Sequence, residues 1–254
     1  MMRTMATFLA VIACAYLGLC ALLFFLQRSL LYFPHLPTGG STATMLTLQV
    51  DGHQVLVTAR PHKGPKALGY FGGNAEDVSF NLPDFSATFP DHAIYLLHYR
   101  GYGGSSGTPT EAALFADALA LHDKVRAEHD TIVAVGRSLG SGVAVHLASV
   151  RPVARLVLVT PYDSIQEVAA VHYPYVPVRW LLRDRFESSK YAAQVGVPTL
   201  LVAAERDEVI PRARTEALLA SFRPGVATLK FLPGTSHNTV SESPQYLPLL
   251  KGAP

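Results

Sequence analysis

The spacing of apolar positions sets the first thirty residues apart from the rest. Residues 6–27 carry no charge across twenty-two consecutive positions and are rich in Leu, Ala and Phe. As a helix they would reach roughly 33 Å, enough to cross a bilayer core. Beyond them the pattern breaks into short segments. Residues 45–50 and 54–60 flank Asp51-Gly52, a dipeptide favoured in tight hairpins, and predict two strands. Six further apolar runs follow, at 67–71, 93–99, 131–135, 156–160, 199–203 and 228–232. Each is continuous rather than alternating, as expected of strands covered on both faces.

Helical stretches lie between these runs. The clearest covers 111–129, where Thr108 is placed to cap, Pro109 suits the first helical position and Glu111 completes a capping box. Residues 141–149 and 212–221 predict two more. A hairpin followed by alternating strands and helices implies an α/β fold, a mainly parallel sheet with helices on both faces. The stretch 162–191, with Tyr173-Pro174-Tyr175-Val176-Pro177 and Trp180, interrupts the rhythm and reads as a cap insertion over a site. The division expected is an anchor at 1–31 and one catalytic domain at 32–254.

A cleaved signal peptide would need a shorter apolar core and a small-x-small cleavage site, and Leu22-Leu23-Phe24-Phe25-Leu26-Gln27 offers neither. A lipidated Cys14 would normally end the apolar run, which here continues. A retained single-pass anchor is the reading that fits. Arg3 and the α-amine precede the run and Arg28 follows it, with no further Lys or Arg until Arg60. That slight imbalance leans towards the domain lying outside the cytoplasm. Both cysteines, Cys14 and Cys20, fall in the anchor, so the domain has no disulfide and suits either compartment.

Composition narrows the class. Charged residues make up 16% of the 254, against roughly 25% in ordinary soluble domains. Basic and acidic residues number 21 and 19, which argues against a nucleic-acid partner and against a charged tail. None of the ten histidines shows metal-ligand spacing and no phosphate-cradling loop occurs, so neither metal nor cofactor is expected.

The chemistry sits where the run 131–135 leads into Gly136-Arg137-Ser138-Leu139-Gly140 and then a helical stretch. In a strand, G-x-S-x-G, helix arrangement the turn is so tight that the serine's neighbours must be small, and the serine projects above the sheet edge. A serine hydroxyl needs a base, and the base needs a group to orient it. Glu205-Arg206-Asp207-Glu208 follows one later run and Pro233-Gly234-Thr235-Ser236-His237 follows the next. Asp207 is the candidate acid, with Glu205 and Glu208 as alternatives, and His237 the candidate base. An oxyanion hole needs two backbone amides. The Leu139 amide, at the start of the helix, supplies one; the Asn74 amide, after the paired glycines Gly72-Gly73, is the candidate for the other. His98, at the end of a run near this edge, is a structural residue in preference to a pocket residue.

With these residues in view, the chain resembles the α/β-hydrolase superfamily of serine hydrolases, and within it the membrane-anchored branch of the fungal bud-emergence proteins and the α/β-hydrolase-domain depalmitoylases. The resemblance is carried by Gln27-Arg28 with Tyr32-Phe33-Pro34, by Tyr70-Phe71-Gly72-Gly73-Asn74-Ala75-Glu76, by Tyr99-Arg100-Gly101-Tyr102-Gly103-Gly104-Ser105, by the segment around Ser138, and by Asp207-Glu208-Val209-Ile210-Pro211 with His237. Gly72 stands where that branch usually has His before Gly-Asn, and Ala203-Ala204 precedes the acid loop in place of His-Gly. The resemblance implies an ester, thioester or amide hydrolase acting on a small-molecule or lipid-like acyl substrate, held at a membrane by its N-terminal helix. A non-catalytic tethered scaffold and a cofactor-free acyltransferase or perhydrolase are the alternatives. The aromatic stretch from Tyr173 to Trp180 is a candidate for holding an acyl chain.

Overall fold

The computed structural model describes residues 2–36 and 44–252. It opens with α1 (Met2–Leu31), which continues one turn beyond the uncharged run at each end. The hairpin follows as β1 (Thr44–Val50) and β2 (His53–Arg60), then β3 (Lys66–Phe71), α2 (Leu82–Thr88), β4 (Ala93–Leu97) and α3 (Glu111–Arg126). Next come β5 (Thr131–Arg137), α4 (Leu139–Val150) and β6 (Arg155–Val159). Stretch 162–191 contributes three short helices, α5 (Ile165–His172), α6 (Val178–Leu181) and α7 (Ser188–Ala192). The chain ends with β7 (Thr199–Arg206), α8 (Arg212–Ser221), β8 (Ala227–Ser236) and α9 (Tyr246–Lys251).

Among the described residues the eight strands form one sheet in the order β1-β2-β4-β3-β5-β6-β7-β8. β2 pairs antiparallel with both β1 and β4; every other pairing is parallel. The continuous apolar runs have the predicted cause, since alternate residues of each central strand enter two cores. Phe71, Ala134 and Leu158 face the core built with Leu114 and Leu121 of α3, Val143 of α4 and Leu218 of α8. Tyr70, Val135 and Val159 face the other, with Phe85 of α2 and Leu249 and Leu250 of α9.

The structure departs from the sequence reading at several boundaries. The cap of α3 is Thr110, whose hydroxyl accepts from the Ala113 amide at 3.1 Å, and not Thr108. Thr110 is extended, with φ −148°, so the helix cannot begin at Pro109. Glu111 forms no capping box; its carboxylate accepts from the Arg185 amide at 2.7 Å, which ties the helix start to the insertion. α4 begins at Leu139, two residues earlier than expected, and β5 runs through Arg137. β7 and β8 extend to Arg206 and Ser236, so Glu205 belongs to a strand. His129 lies beyond the end of α3, against the Tyr95 hydroxyl at 3.1 Å.

Candidate active site

Because β3 to β8 run parallel, their carboxyl ends lie at one edge of the sheet, and the candidate residues all follow those ends. Phe71 of β3 stands in register with Gly136 of β5, and Gly136 with Leu158 of β6. The loop after β3 therefore lies beside the turn after β5. That turn is as tight as the glycines suggested. A β-carbon at Gly136 would drive into the carbonyl of Gly140, and one at Gly140 into the carbonyl of Phe71. Between them Ser138 adopts φ 49°, ψ −118°, a conformation costly for a residue with a side chain. Its backbone is held from both sides: its amide donates to Val159 O at 2.9 Å and its carbonyl accepts from the Ser141 amide at 2.9 Å.

Three side chains converge there. The Ser138 hydroxyl lies 3.0 Å from His237 Nε2, and His237 Nδ1 lies 2.9 Å from each carboxylate oxygen of Asp207. The imidazole and the carboxylate are both nearly buried, at 8% side-chain exposure each. Asp207 Oδ1 also accepts from the amides of Val209 and Ile210, at 3.0 and 2.7 Å, which fixes the carboxylate before it meets the ring. The alternatives are placed elsewhere. Glu205 accepts from the Gly234 amide at 2.7 Å, and Glu208 faces the backbone amide of His237 at 3.3 Å rather than its ring.

Asn74 lines the same cavity as Ser138, and Leu139 follows the serine directly in the chain. Leu139 is the first residue of α4, where an amide has no carbonyl one turn earlier to bond. The Gly73 amide donates to Glu76 Oε2 at 2.7 Å, whereas no acceptor is found for the Asn74 amide among the described residues. Gly73, Asn74, Glu76, Arg137, Ser138 and His237 share a cavity of ≈ 220 Å³.

Two residues of this site escaped the sequence reading. Glu76 binds the Gly73 amide through one carboxylate oxygen and the Tyr70 hydroxyl and Asn81 Nδ2, both at 2.7 Å, through the other. Arg137, the variable residue of the G-x-S-x-G turn, lies 3.7 Å from Glu76. Burial first, and the Glu76 carboxylate second, push the Tyr70 phenol well above its usual pKa, so Tyr70 stays a neutral donor. The signal available was Glu76 itself, an acid three positions after a glycine pair. His98 is buried away from the cavity, 2.7 Å from the Thr58 hydroxyl. Of the aromatic stretch, Tyr173 lines an apolar groove against α1, while Trp180 points outward.

No protein-family profile matches the chain. It is 34% identical over 248 residues to an uncharacterized protein of Mycobacterium tuberculosis, covering 90% of this chain and 86% of that one. It is 32% identical over 162 residues to alpha/beta hydrolase domain-containing protein 17B of Homo sapiens, covering 62% of this chain and 54% of that protein. Among solved structures, Est1E from Butyrivibrio proteoclasticus, determined with ferulic acid bound, superposes with a TM-score of 0.64 at 17% identity, over 82% of this chain and 95% of that one.

Proposed function

Because the chain belongs to the α/β-hydrolase family, we propose that it is a serine hydrolase that cleaves an ester, thioester or amide through an acyl-enzyme on Ser138. The observation that carries this reading is the unbroken hydrogen-bond chain from Ser138 through His237 to Asp207. Both Asp207 oxygens face Nδ1, which makes Nδ1 the protonated nitrogen and leaves Nε2 free to accept. His237 takes the serine proton as the hydroxyl attacks the carbonyl, and Asp207 stabilises the imidazolium that forms. The amides of Leu139 and Asn74 receive the oxyanion, with the N-terminus of α4 adding its dipole. His237 protonates the leaving group, then activates the water that releases the acyl group.

α1 is long and apolar enough to cross a membrane, and in this reading it anchors the enzyme at a bilayer. A site held there favours lipid-like or lipidated acyl substrates, and the slight excess of positive charge before the apolar run favours the domain on the side away from the cytoplasm.

A fluorophosphonate probe tests the chemistry. The folded full-length chain should label covalently at Ser138, and Ser138→Ala should abolish labelling and lower ester turnover by about 10⁴-fold or more. Labelling that survives Ser138→Ala overturns the assignment. A panel of esters of increasing chain length reads the substrate class, and product formed with an added alcohol in preference to water would identify an acyltransferase.

A further inference from the structure

α1 does not stand free of the domain. Its last turns present Cys20, Leu23, Phe24, Gln27, Arg28 and Leu31 as a buried or half-buried stripe, and the insertion lies along it. Gln27 holds the insertion's backbone through both ends of its amide, Nε2 donating to Leu181 O at 3.2 Å and Oε1 accepting from the Arg183 amide at 2.7 Å. Arg28 pairs with Asp184 at 2.9 Å, and the Arg183 guanidinium stacks over Phe24, 4.3 Å from the ring centre. Eleven residues before Gln27, the Tyr16 hydroxyl donates to Tyr175 O at 2.9 Å. The segment from Tyr175 to Asp184 therefore runs beside α1 from Tyr16 to Arg28.

This alignment sets a depth. Counted from Arg3, the last charge before the apolar run, a hydrocarbon core of about 30 Å consumes about 20 residues and ends near Leu23. Tyr16 lies about 10 Å inside that boundary and Gln27 about 6 Å beyond it. Tyr175, tied to Tyr16, is thereby held below the headgroups, and Trp180, next to the residue Gln27 holds, is held among them. Both side chains are bare, at 87% and 86% exposure. Val171 and Tyr173 of the insertion and Leu22 and Phe25 of α1 are exposed as well. Bare tyrosine and tryptophan beside an arginine are the side chains that favour a membrane–water interface.

We propose that the insertion is itself a membrane contact, with residues 173–183 seated in the bilayer interface against α1. The proposal rests on reading α1 as the membrane span. It also gives the groove between the two elements an orientation. Phe24 and Leu30 of α1 face Ala169, Tyr173 and Val176 across it. At its inner end the carbonyl of Leu31 accepts from the Asn74 side chain at 3.1 Å. The lining of the groove thus touches the loop beside Ser138 at Leu31.

Trp180 is the chain's single tryptophan, so its fluorescence reports the lip directly. The full-length chain is reconstituted in phosphatidylcholine vesicles with bromines placed just below the headgroup or deep in the acyl chain. Trp180 emission should be blue-shifted, shielded from iodide, and lose about half its intensity to the shallow bromines. Trp180→Phe with Tyr175→Trp moves the reporter down, and the deep bromines should then quench more strongly. A circular dichroism spectrum and thermal midpoint matching the parent check that this variant is folded. Emission typical of indole in water, quenched by iodide and indifferent to brominated lipid in vesicles that carry the protein on flotation, overturns the proposal. Failure to float overturns the membrane reading of α1 and this proposal with it, while leaving the serine chemistry to its own test.

Discussion

Replacing Glu76 with alanine should damage stability and turnover together, because one carboxylate holds both the sheet edge and the loop beside the serine. Its oxygens receive Tyr70 Oη, Asn81 Nδ2 and the Gly73 amide, each at 2.7 Å. Tyr70 is fully buried, so its hydroxyl would lose the Glu76 acceptor away from water, at a cost of about 1–3 kcal/mol. Asn81 is half-buried and regains water, and the buried Gly73 borders the cavity, where water can reach its amide. The partly exposed Arg137 pair, at 17% and 14% side-chain exposure, adds up to about 1 kcal/mol. The sum is a loss of about 1–4 kcal/mol, read by denaturant unfolding. Glu76 also sets the direction of the Gly73 peptide, and through it the Asn74 amide. Loss of one oxyanion donor outright costs about 10²–10³ in kcat, so a loosened donor should cost about 10- to 100-fold, with KM little changed. Glu76→Gln should fall between, since its single oxygen serves either Gly73 or the Tyr70–Asn81 side but not both. An alanine variant with unfolding free energy within about 0.5 kcal/mol of the parent and kcat within about twofold would refute this reasoning.

Gly140→Ala should destabilise the chain by about 1–3 kcal/mol and slow fluorophosphonate labelling, because the new methyl meets the Phe71 carbonyl and forces the first turn of α4, with the Leu139 amide, away from Ser138. Thermal melts and labelling rates measured together check it, and a stable, fast-labelling variant would show that the turn has slack. Acidification should also weaken the fold. Burial holds His98 below its usual pKa against the opposing pull of Asp77, and burial lowers His146 likewise. The unfolded chain therefore binds protons more readily, so this contribution is whole above about pH 6.5 and is lost as the pH falls through that value towards the lower folded-state pKa values. His98→Gln should show a smaller drop in unfolding midpoint between neutral and mildly acid buffer than the parent; equal drops would remove His98 as a cause.

What could be read without the structure follows from how far each residue's partners lie along the chain. The parallel strands were legible because burial on both faces leaves an unbroken apolar run, and the serine turn because only glycine fits at 136 and 140. Asp207 and His237 were legible by order alone, each a polar residue closely following a strand run. α2 and α9 were not, being one or two turns long with Pro83 and Pro248 inside them, and stabilised by packing on the sheet rather than by periodicity. The start of α3 was read from Thr108-Pro109, yet the cap is Thr110. The choice was made by Asp184 and Arg185 more than seventy residues away. Glu76 looked like a solvated turn acid because nothing local reveals that Tyr70 and Gly73 fold back onto it.

The packing of α1 was hidden from the sequence. A uniform apolar run shows no face, so its one-sided contact with residues 165–184 was invisible. Its end is built into the loop beside the serine. Leu31 O takes the Asn74 side chain, the Phe33 amide donates to Asn74 O at 3.1 Å, and the Tyr102 hydroxyl closes on the same carbonyl at 2.7 Å. A peptide gripped at its carbonyl and side chain by the end of the anchor has only its amide left to turn towards the cavity. In the reading proposed above, with α1 spanning a bilayer and the Asn74 amide holding the oxyanion, a tilt of α1 would bear on that amide through these bonds.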